Sequence, residues 1–407
     1  MEKEMASIEE NCTWSLVDLP HGCQAIGLKW VYKVKRDENG AMANSSKHAI
    51  YTRRNGEAQL VVGVYVDDLV IIGASCDDIK QFKKEMADAF KMSNLGLLRY
   101  YLGIEVRQSA GGTSISQGAY AAKILERSGM AGCNPCQVQM ATRLKLSKRS
   151  TEPLVDATAY RSIVGSLRYL VNTRPDLAFV VGYVSHFLEE SRKDHLTAVK
   201  QILHYVAETK SWGLRYERKK EEQVQLTGFN DSDFAGDVDA RKSTTGVIFF
   251  LANSPITWQS MKQKVVAQSN YEAEYIVAAN AACQGVWLAR VLAEVHGSAL
   301  SVLMLRVDNK SAIALIKNLV LHRHSKHIEV KYHLVRESVE KGQINVEFIK
   351  SEEQLGDVLT KSLGKVKFHE FRAKIGLVDV RGKHSKAQEE IVVNGSLARA
   401  PPPALFA

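Results

Sequence analysis

The order of secondary structure in the second half of the chain is the feature that most restricts its fold. From about Val224 the sequence reads as strands first and then as alternating strands and helices, ending near Leu377. Such an order is typical of a separate α/β domain. The preceding residues, from Tyr120 to Glu208, show apolar side chains three or four positions apart, which predicts helices. Because 407 residues exceed what one hydrophobic core usually serves, we expect at least two domains.

Two aspartates of the α/β region stand at predicted strand ends. The strand-like segment QLTGF, residues 225–229, runs into Asp231, and the segment VLMLRV, residues 302–307, ends at Asp308. Carboxylates at the ends of neighbouring strands can chelate a metal ion. This pattern is common in α/β folds, so it does not define a site by itself.

Two further acids follow predicted helix starts. Ser269 and Glu272 have the spacing of a capping box, so the Glu272 side chain should fold back onto the helix start. Glu274 lies about 200° further round the helix and should point toward the sheet. A second pattern of this kind, at residues 351–354, precedes Asp357, which we place in the first turn of the last helix. The sequence therefore predicts a carboxylate after each helix start, and only for Glu274 does it predict the direction of the side chain.

Four acids close together would repel one another strongly unless divalent cations lay among them, and Mg²⁺ prefers hard oxygen ligands. The four are Asp231, Glu274, Asp308 and Asp357. The alternative is that each is a surface acid at a cap or a turn, because both recruit Asp and Glu. Spacing alone favours this alternative.

Five segments in this order resemble the ribonuclease H domain of copia-type retrotransposon polyproteins: GFNDSDFAGDVDARKSTTG, AQSNYEAEY, VDNKSAIAL, HSKHIEVKYHLVRE and EEQLGDVLTK. The resemblance covers about residues 225–377. It implies an α/β fold of the ribonuclease H type, with helices packed on a mixed five-stranded sheet. It also implies that the four acids are catalytic residues and ligands of two Mg²⁺ ions, or of Mn²⁺ in their place. The implied reaction is cleavage of the RNA strand of an RNA·DNA hybrid.

The first half contains Tyr65-Val66-Asp67-Asp68 between two apolar strands, which resembles the catalytic hairpin of reverse transcriptases. Flanking segments resemble copia-type reverse transcriptase and its connection to the nuclease, among them AIGLKWVYKVKRDENG and YRSIVGSLRYLVNTRPDLA. That family has a far longer stretch between DENG and YVDD, including a palm strand with another metal-binding aspartate. Here the only acid of residues 41–64 is Glu57. The resemblance therefore implies an internal deletion, a vestigial polymerase site at Tyr65, Asp67 and Asp68, and the loss of RNA-directed DNA polymerase activity.

The resemblance divides the chain into five parts. They are an N-terminal reverse transcriptase fragment at 1–40, a palm remnant with the YVDD hairpin at 41–106, a helical thumb and connection region at 107–218, a ribonuclease H domain at 219–377 and a disordered tail at 378–407. The first three form an incomplete α+β palm and thumb remnant. We expect the nuclease domain to fold alone. We expect disorder in the tail because it has little apolar periodicity.

The net charge of +9 favours a polyanionic partner, an RNA·DNA hybrid or another nucleic acid. The sequence has no apolar core of signal-peptide type and no stretch near the roughly 18 apolar residues of a membrane span. We therefore expect an intracellular protein, in the cytoplasm or the nucleus, without a membrane partner; the oligomeric state stays open. Two alternatives to a nuclease are a non-catalytic nucleic-acid-binding relic of the element and a structural protein co-opted from it.

Overall fold

The computed structural model describes residues 50–55, 58–66, 68–90, 92–218, 225–297, 302–317 and 333–381. The predicted reverse transcriptase fragment at 1–40, residue Asp67 of the hairpin and the tail from residue 382 onward lie outside the described residues.

The first sheet contains the hairpin and one strand that the sequence did not predict. Its antiparallel strands are β1 (Ile50–Asn55), β2 (Ala58–Tyr65) and β3 (Asp68–Gly73), in that order. Tyr65 pairs with Asp68 across the turn, which confirms the predicted hairpin. Helix α1 (Cys76–Ala89) follows, and none of its residues is buried. This part of the chain therefore has a small core.

The second sheet joins segments from distant parts of the chain. Its strands are β4 (Tyr100–Tyr101), β5 (Ile104–Ser109), β6 (Gly112–Ser116), β7 (Trp212–Glu217) and β13 (Leu377–Asp379). All are antiparallel, in the order β13-β7-β6-β5-β4. Residues 106 and 107, on either side of the expected palm boundary, both lie in β5. The first two residues of the expected tail lie in β13, in which Leu377 pairs with Leu214.

Four of the predicted helices lie between β6 and β7. They are α2 (Gly118–Arg127), α3 (Ala157–Leu170), α4 (Ala178–Val184) and α5 (Lys193–Glu208). Their apolar faces form one core with Tyr160, Leu167 and Ile202 fully buried. The predicted helical region is thus confirmed, except that it begins with the strands β5 and β6.

The third sheet is mixed and five-stranded, as the resemblance implies. Its strands are β8 (Leu226–Ser232), β9 (Thr244–Leu251), β10 (Ser254–Lys262), β11 (Leu303–Val307) and β12 (Ile344–Phe348). The order is β10-β9-β8-β11-β12; β8 to β10 are antiparallel, while β11 is parallel to both β8 and β12.

One face of this sheet is covered by helix α6 (Asn270–His296), with α7 (Lys310–Lys317) and α8 (Leu334–Glu340) beside it. Within the described part of the chain, α6 alone is long and apolar enough to cross a membrane by length and composition. The apolar character of α6 is explained by its place in the core, because Tyr275, Val277 and Leu292 are buried against the sheet.

The opposite face packs on the preceding region. Ile248 of β9 shares a core with Leu359 of a 3₁₀ helix (Leu355–Leu359) and with Ala178 and Leu214. Helix α9 (Lys365–Lys374) inserts Phe368 into the core of the four helices. The second face of the sheet is therefore covered by side chains from the helical region, and the domain boundaries at residues 219 and 377 stay a prediction.

Candidate metal centre

Two strand ends bring the first two acids together. Asp231 is the last residue but one of β8, and Asp308 directly follows β11. Because β8 and β11 are parallel neighbours, their carboxyl ends lie at the same edge of the sheet. Oxygen atoms of Asp231, Asp308 and Glu274 lie within 4.8 Å of one another, and this is the only such group of metal-ligand side chains among the described residues.

The start of α6 separates its two glutamates as the helix phase predicts. Ser269 caps the helix by accepting a hydrogen bond from the Glu272 amide, at 3.3 Å. The Glu272 carboxylate turns back and accepts from the Gln268 amide at 2.8 Å. Glu274 points the other way, and its Oε1 accepts from the Ser232 amide at 2.9 Å. The predicted difference between the two acids is confirmed.

The three clustered acids share a protected, electrostatically unfavourable position. Asp231 and Glu274 are each 3% exposed, and Asp308 is half-buried. Burial raises the pKa of Asp231 to about 7, although Lys361 opposes that rise. Burial, with repulsion from Asp231 and Asp308, also raises the pKa of Glu274. Burial raises the pKa of Asp308. All three shifts show that this site disfavours uncompensated negative charge.

Asp357 lies beside the cluster and is not one of the three grouped acids. It sits in the 3₁₀ helix, 2% exposed, and forms two ion pairs. Its Oδ1 is 2.6 Å from Lys361 Nζ, and its Oδ2 is 2.7 Å from Lys367 Nζ. Lys361 also approaches Asp231 Oδ2, at 3.6 Å. Asp357 is therefore linked to the cluster through a shared lysine.

The predicted second capping box is wrong. The 3₁₀ helix begins at Leu355 with Gln354 as its N-cap, whose side chain accepts a hydrogen bond from the Gly356 amide at 3.1 Å. The Gln354 amide group also donates to the Asn230 carbonyl at 2.8 Å, which ties this helix to β8. Ser351 instead donates from its hydroxyl to Asp308 Oδ2 at 3.0 Å. A tertiary contact has replaced the local cap.

Lys361 and Lys367 are site residues that the sequence reasoning missed. The signal for Lys361 was its position four residues after Asp357, which is the spacing of a helical ion pair. Asp231 and Asp357 raise the pKa of the Lys361 ammonium, although burial lowers it. Thr360, next to Lys361, donates a hydrogen bond to Asp231 Oδ2. The segment after Asp357 thus partly neutralises and orients the acids.

The hairpin acids are placed differently. Tyr65 and Asp68 are exposed, and Asp67 lies outside the described residues. The neighbouring strand β1 has the sequence IYTRRN and contains no carboxylate. Its Arg53 forms an exposed ion pair with Glu85 of α1. The described neighbouring strand of the hairpin therefore supplies no carboxylate.

A segment of the helical region with several basic side chains contacts the loop that follows β8. The Ser147 hydroxyl donates to Asp239 Oδ1 at 2.6 Å, and the Lys148 amide donates to Asp239 Oδ2 at 2.7 Å. Lys145 donates to the Gly236 carbonyl at 3.3 Å. These contacts hold residues 144–149 on the loop after Asp231, with Lys145, Lys148 and Arg149 exposed.

Comparison with known proteins identifies relatives of both halves. A family model described as reverse transcriptase (RNA-dependent DNA polymerase) matches residues 38–142. The Pol polyprotein of transposon RE2 from Arabidopsis thaliana is 36% identical over 341 residues, which is 84% of this chain and 23% of that protein. A putative transposon Ty5-1 protein from Saccharomyces cerevisiae is 31% identical over 270 residues, covering 65% of this chain and 87% of its own length.

Among solved structures, the N-terminal RNase H domain of a Mycobacterium tuberculosis protein matches 37% of this chain and 98% of its own. The TM-score is 0.22 and the identity is 14%. The chain spans about a quarter of the length of the RE2 polyprotein.

Proposed function

The chain belongs to the Pol polyproteins of copia-type retrotransposons, and we propose that it acts as a metal-dependent ribonuclease H that cleaves the RNA strand of an RNA·DNA hybrid. The observation that carries this proposal is the group of Asp231, Glu274 and Asp308 at one edge of a mixed five-stranded sheet. The order of the strands and the four acids agree with the ribonuclease H fold that the sequence motifs resemble.

The side chains at this edge suit Mg²⁺, with Mn²⁺ as the alternative. Three carboxylates within 4.8 Å supply hard oxygen ligands, and burial makes their mutual repulsion costly without a cation. Glu274 Oε2 is buried and has no hydrogen-bond partner among the described residues. A buried carboxylate oxygen without a partner is unfavourable unless something else binds there.

In the proposed reaction the chain's own residues hold and orient the ligands. The Ser232 amide fixes Glu274, the Thr360 hydroxyl fixes Asp231, and the Ser351 hydroxyl fixes Asp308. Two bound metal ions would supply an activated water molecule and stabilise the leaving oxygen. Lys361 forms an ion pair with Asp357. If a metal ion displaced this ammonium group, Asp357 would become the fourth carboxylate ligand.

The proposed substrate is recognised through its backbone. Lys145, Lys148 and Arg149 project from a segment fixed to the loop after Asp231, so phosphates near the acids would meet positive charge. The net charge of +9 acts in the same direction. Contacts of this kind position nucleic acid without reading its sequence, and their affinity falls steeply with added salt.

We further propose that polymerase activity is lost, because the described neighbour of the hairpin contains no carboxylate. That same observation favours the second candidate function, a nucleic-acid-binding relic without catalysis.

One assay distinguishes the two candidate functions. The full chain should cleave an RNA·DNA hybrid with Mg²⁺, stop when EDTA is added, and leave duplex DNA of the same sequence intact. Binding of the hybrid without cleavage at any Mg²⁺ or Mn²⁺ concentration would favour the relic.

A further inference from the structure

Helix α9 contacts the acidic site and the helical region at the same time. Lys367 donates to Asp357 Oδ2 at 2.7 Å and to the Ser351 carbonyl at 3.1 Å. The next residue, Phe368, is fully buried in the core of the four helices, with its ring 5.6 Å from that of Tyr205. The position of Lys367 is therefore tied to how α9 packs on the preceding region.

Arg372, one turn after Phe368 in α9, makes a buried polar contact with that region. Its Nη1 donates to the Tyr205 hydroxyl at 3.0 Å, and its guanidinium lies 3.9 Å from the centre of the Trp212 ring. The side chain is buried. A planar guanidinium stacked on an aromatic ring and bonded at its end has few alternative orientations.

The Tyr205 hydroxyl connects Arg372 to a buried ion pair. It donates to Asp176 Oδ2 at 2.6 Å, and Asp176 receives two hydrogen bonds from Arg174, at 2.9 and 2.8 Å. The hydroxyl thus uses its donor on Asp176 and an acceptor position on Arg372. All four side chains are buried, so breaking one contact leaves polar groups unpaired in the interior.

We propose that Tyr205 and Arg372 are positioning residues for Asp357. They fix α9 so that Lys367 holds the Asp357 carboxylate beside Asp231, the arrangement from which a metal ion would recruit the fourth acid. This inference rests on the proposed function and extends it, because it assigns part of the nuclease site to the reverse transcriptase side of the chain.

The test compares two buried tyrosines of the same helical core. Tyr205→Phe removes the hydroxyl that holds Arg372, while Tyr160→Phe removes a hydroxyl that donates to the Val184 carbonyl at 2.8 Å, away from α9. Both rings are fully buried, so each change deletes one oxygen and keeps the packing. In the full chain, the Mg²⁺ concentration for half-maximal hybrid cleavage should rise about fivefold for Tyr205→Phe, the factor for one net hydrogen bond. Tyr160→Phe should match the wild type.

Two measurements give the answer without cleavage. Hydrogen exchange of the amides of residues 365–374 should quicken in Tyr205→Phe and not in Tyr160→Phe, and the rise in Tm on adding Mg²⁺ should be smaller only in the former. Equal behaviour of the two variants in exchange and in Mg²⁺ response would overturn the proposal. If Tyr205→Phe does not fold, Arg372→Met, which keeps an apolar stem on Trp212, carries the same expectations. A wild-type chain that does not cleave would refute the proposed function, while the exchange comparison would still decide this inference.

Discussion

The hairpin of the first sheet and the edge of the third sheet both place aspartates at strand ends, and their surroundings differ. At the hairpin, Asp68 is exposed, and the adjoining strand β1 contains no carboxylate. At the third sheet, two parallel strands and a helix each supply one acid, and Asp231 and Glu274 are almost completely buried. The hairpin acids come from a single turn, whereas the acids at the third sheet come from three separate elements.

Packing explains this difference. Helix α1, beside the hairpin, has no buried residue, whereas the third sheet is covered on both faces by apolar side chains. Acids that repel one another stay close only if the elements carrying them are held by other contacts. The comparison shows that an aspartate at a strand end is a candidate metal ligand where a packed core holds other acids close to it.

The largest expected effect is on hybrid cleavage, and it should differ between the acids of the third sheet and those of the hairpin. Asp308→Asn should lower hybrid cleavage by several orders of magnitude, because two-metal hydrolysis depends on both ions. Hybrid binding should change little, since it relies on lysines and arginines. Asp68→Asn, an equal change at the hairpin, should leave cleavage unaltered. A large loss in Asp68→Asn, with Asp308→Asn still active, would reverse the assignment.

The next prediction concerns the shared core. A fragment of residues 94–381 should unfold cooperatively, while residues 225–381 alone should lose most of that stability, because removing Ala178 and Leu214 exposes the core around Ile248. Thermal unfolding followed by circular dichroism compares the two. Equal midpoints would restore the independent domain that the motifs suggested.

A smaller effect should appear as a pH dependence of stability without metal. Burial raises the pKa of Asp231 to about 7 from an unfolded value of 3.8, so between these values the folded state binds more protons than the unfolded state. The free energy of unfolding in EDTA should therefore fall as the pH rises from 5 to 8, on the order of a few kcal/mol. Urea titrations of Asp231→Asn should show a shallower dependence. The same pH dependence in Asp231→Asn and in the wild type would mean that burial does not raise the pKa of Asp231.

The smallest expected effect is the stability change in Glu272→Gln, which with Glu274→Gln tests the predicted helix phase. Glu272→Gln should keep cleavage and lower the free energy of unfolding by about 1 kcal/mol, because its carboxylate serves the helix start. Glu274→Gln should abolish cleavage, since its carboxylate faces Asp231. Loss of activity in Glu272→Gln alone would show that the wrong glutamate has been assigned to the site.

Local rules predicted the parts of the site that depend on local structure. The strand ends located Asp231 and Asp308, and the cap at Ser269 gave the direction of Glu274. Contacts set by tertiary packing were missed. The bond from Gln354 to Asn230 replaced the predicted cap at Ser351.

The same limit applies to the fold. Strand β13 has three residues, and its partner β7 precedes the whole third sheet, so no periodicity within its own segment could reveal the pairing. The ion pair of Lys367 with Asp357 likewise depends on how α9 docks, which the spacing of its residues does not specify. The cores that join the regions likewise depend on tertiary packing, which the motifs do not specify.

The most direct test of the comparison is to locate bound metal. Crystals of the full chain soaked in Mn²⁺ should show an anomalous difference peak among the carboxylates of Asp231, Glu274 and Asp308, and none at the hairpin acids. A peak at Asp68 with none at the third sheet would contradict the account, and so would the absence of any peak at the three acids.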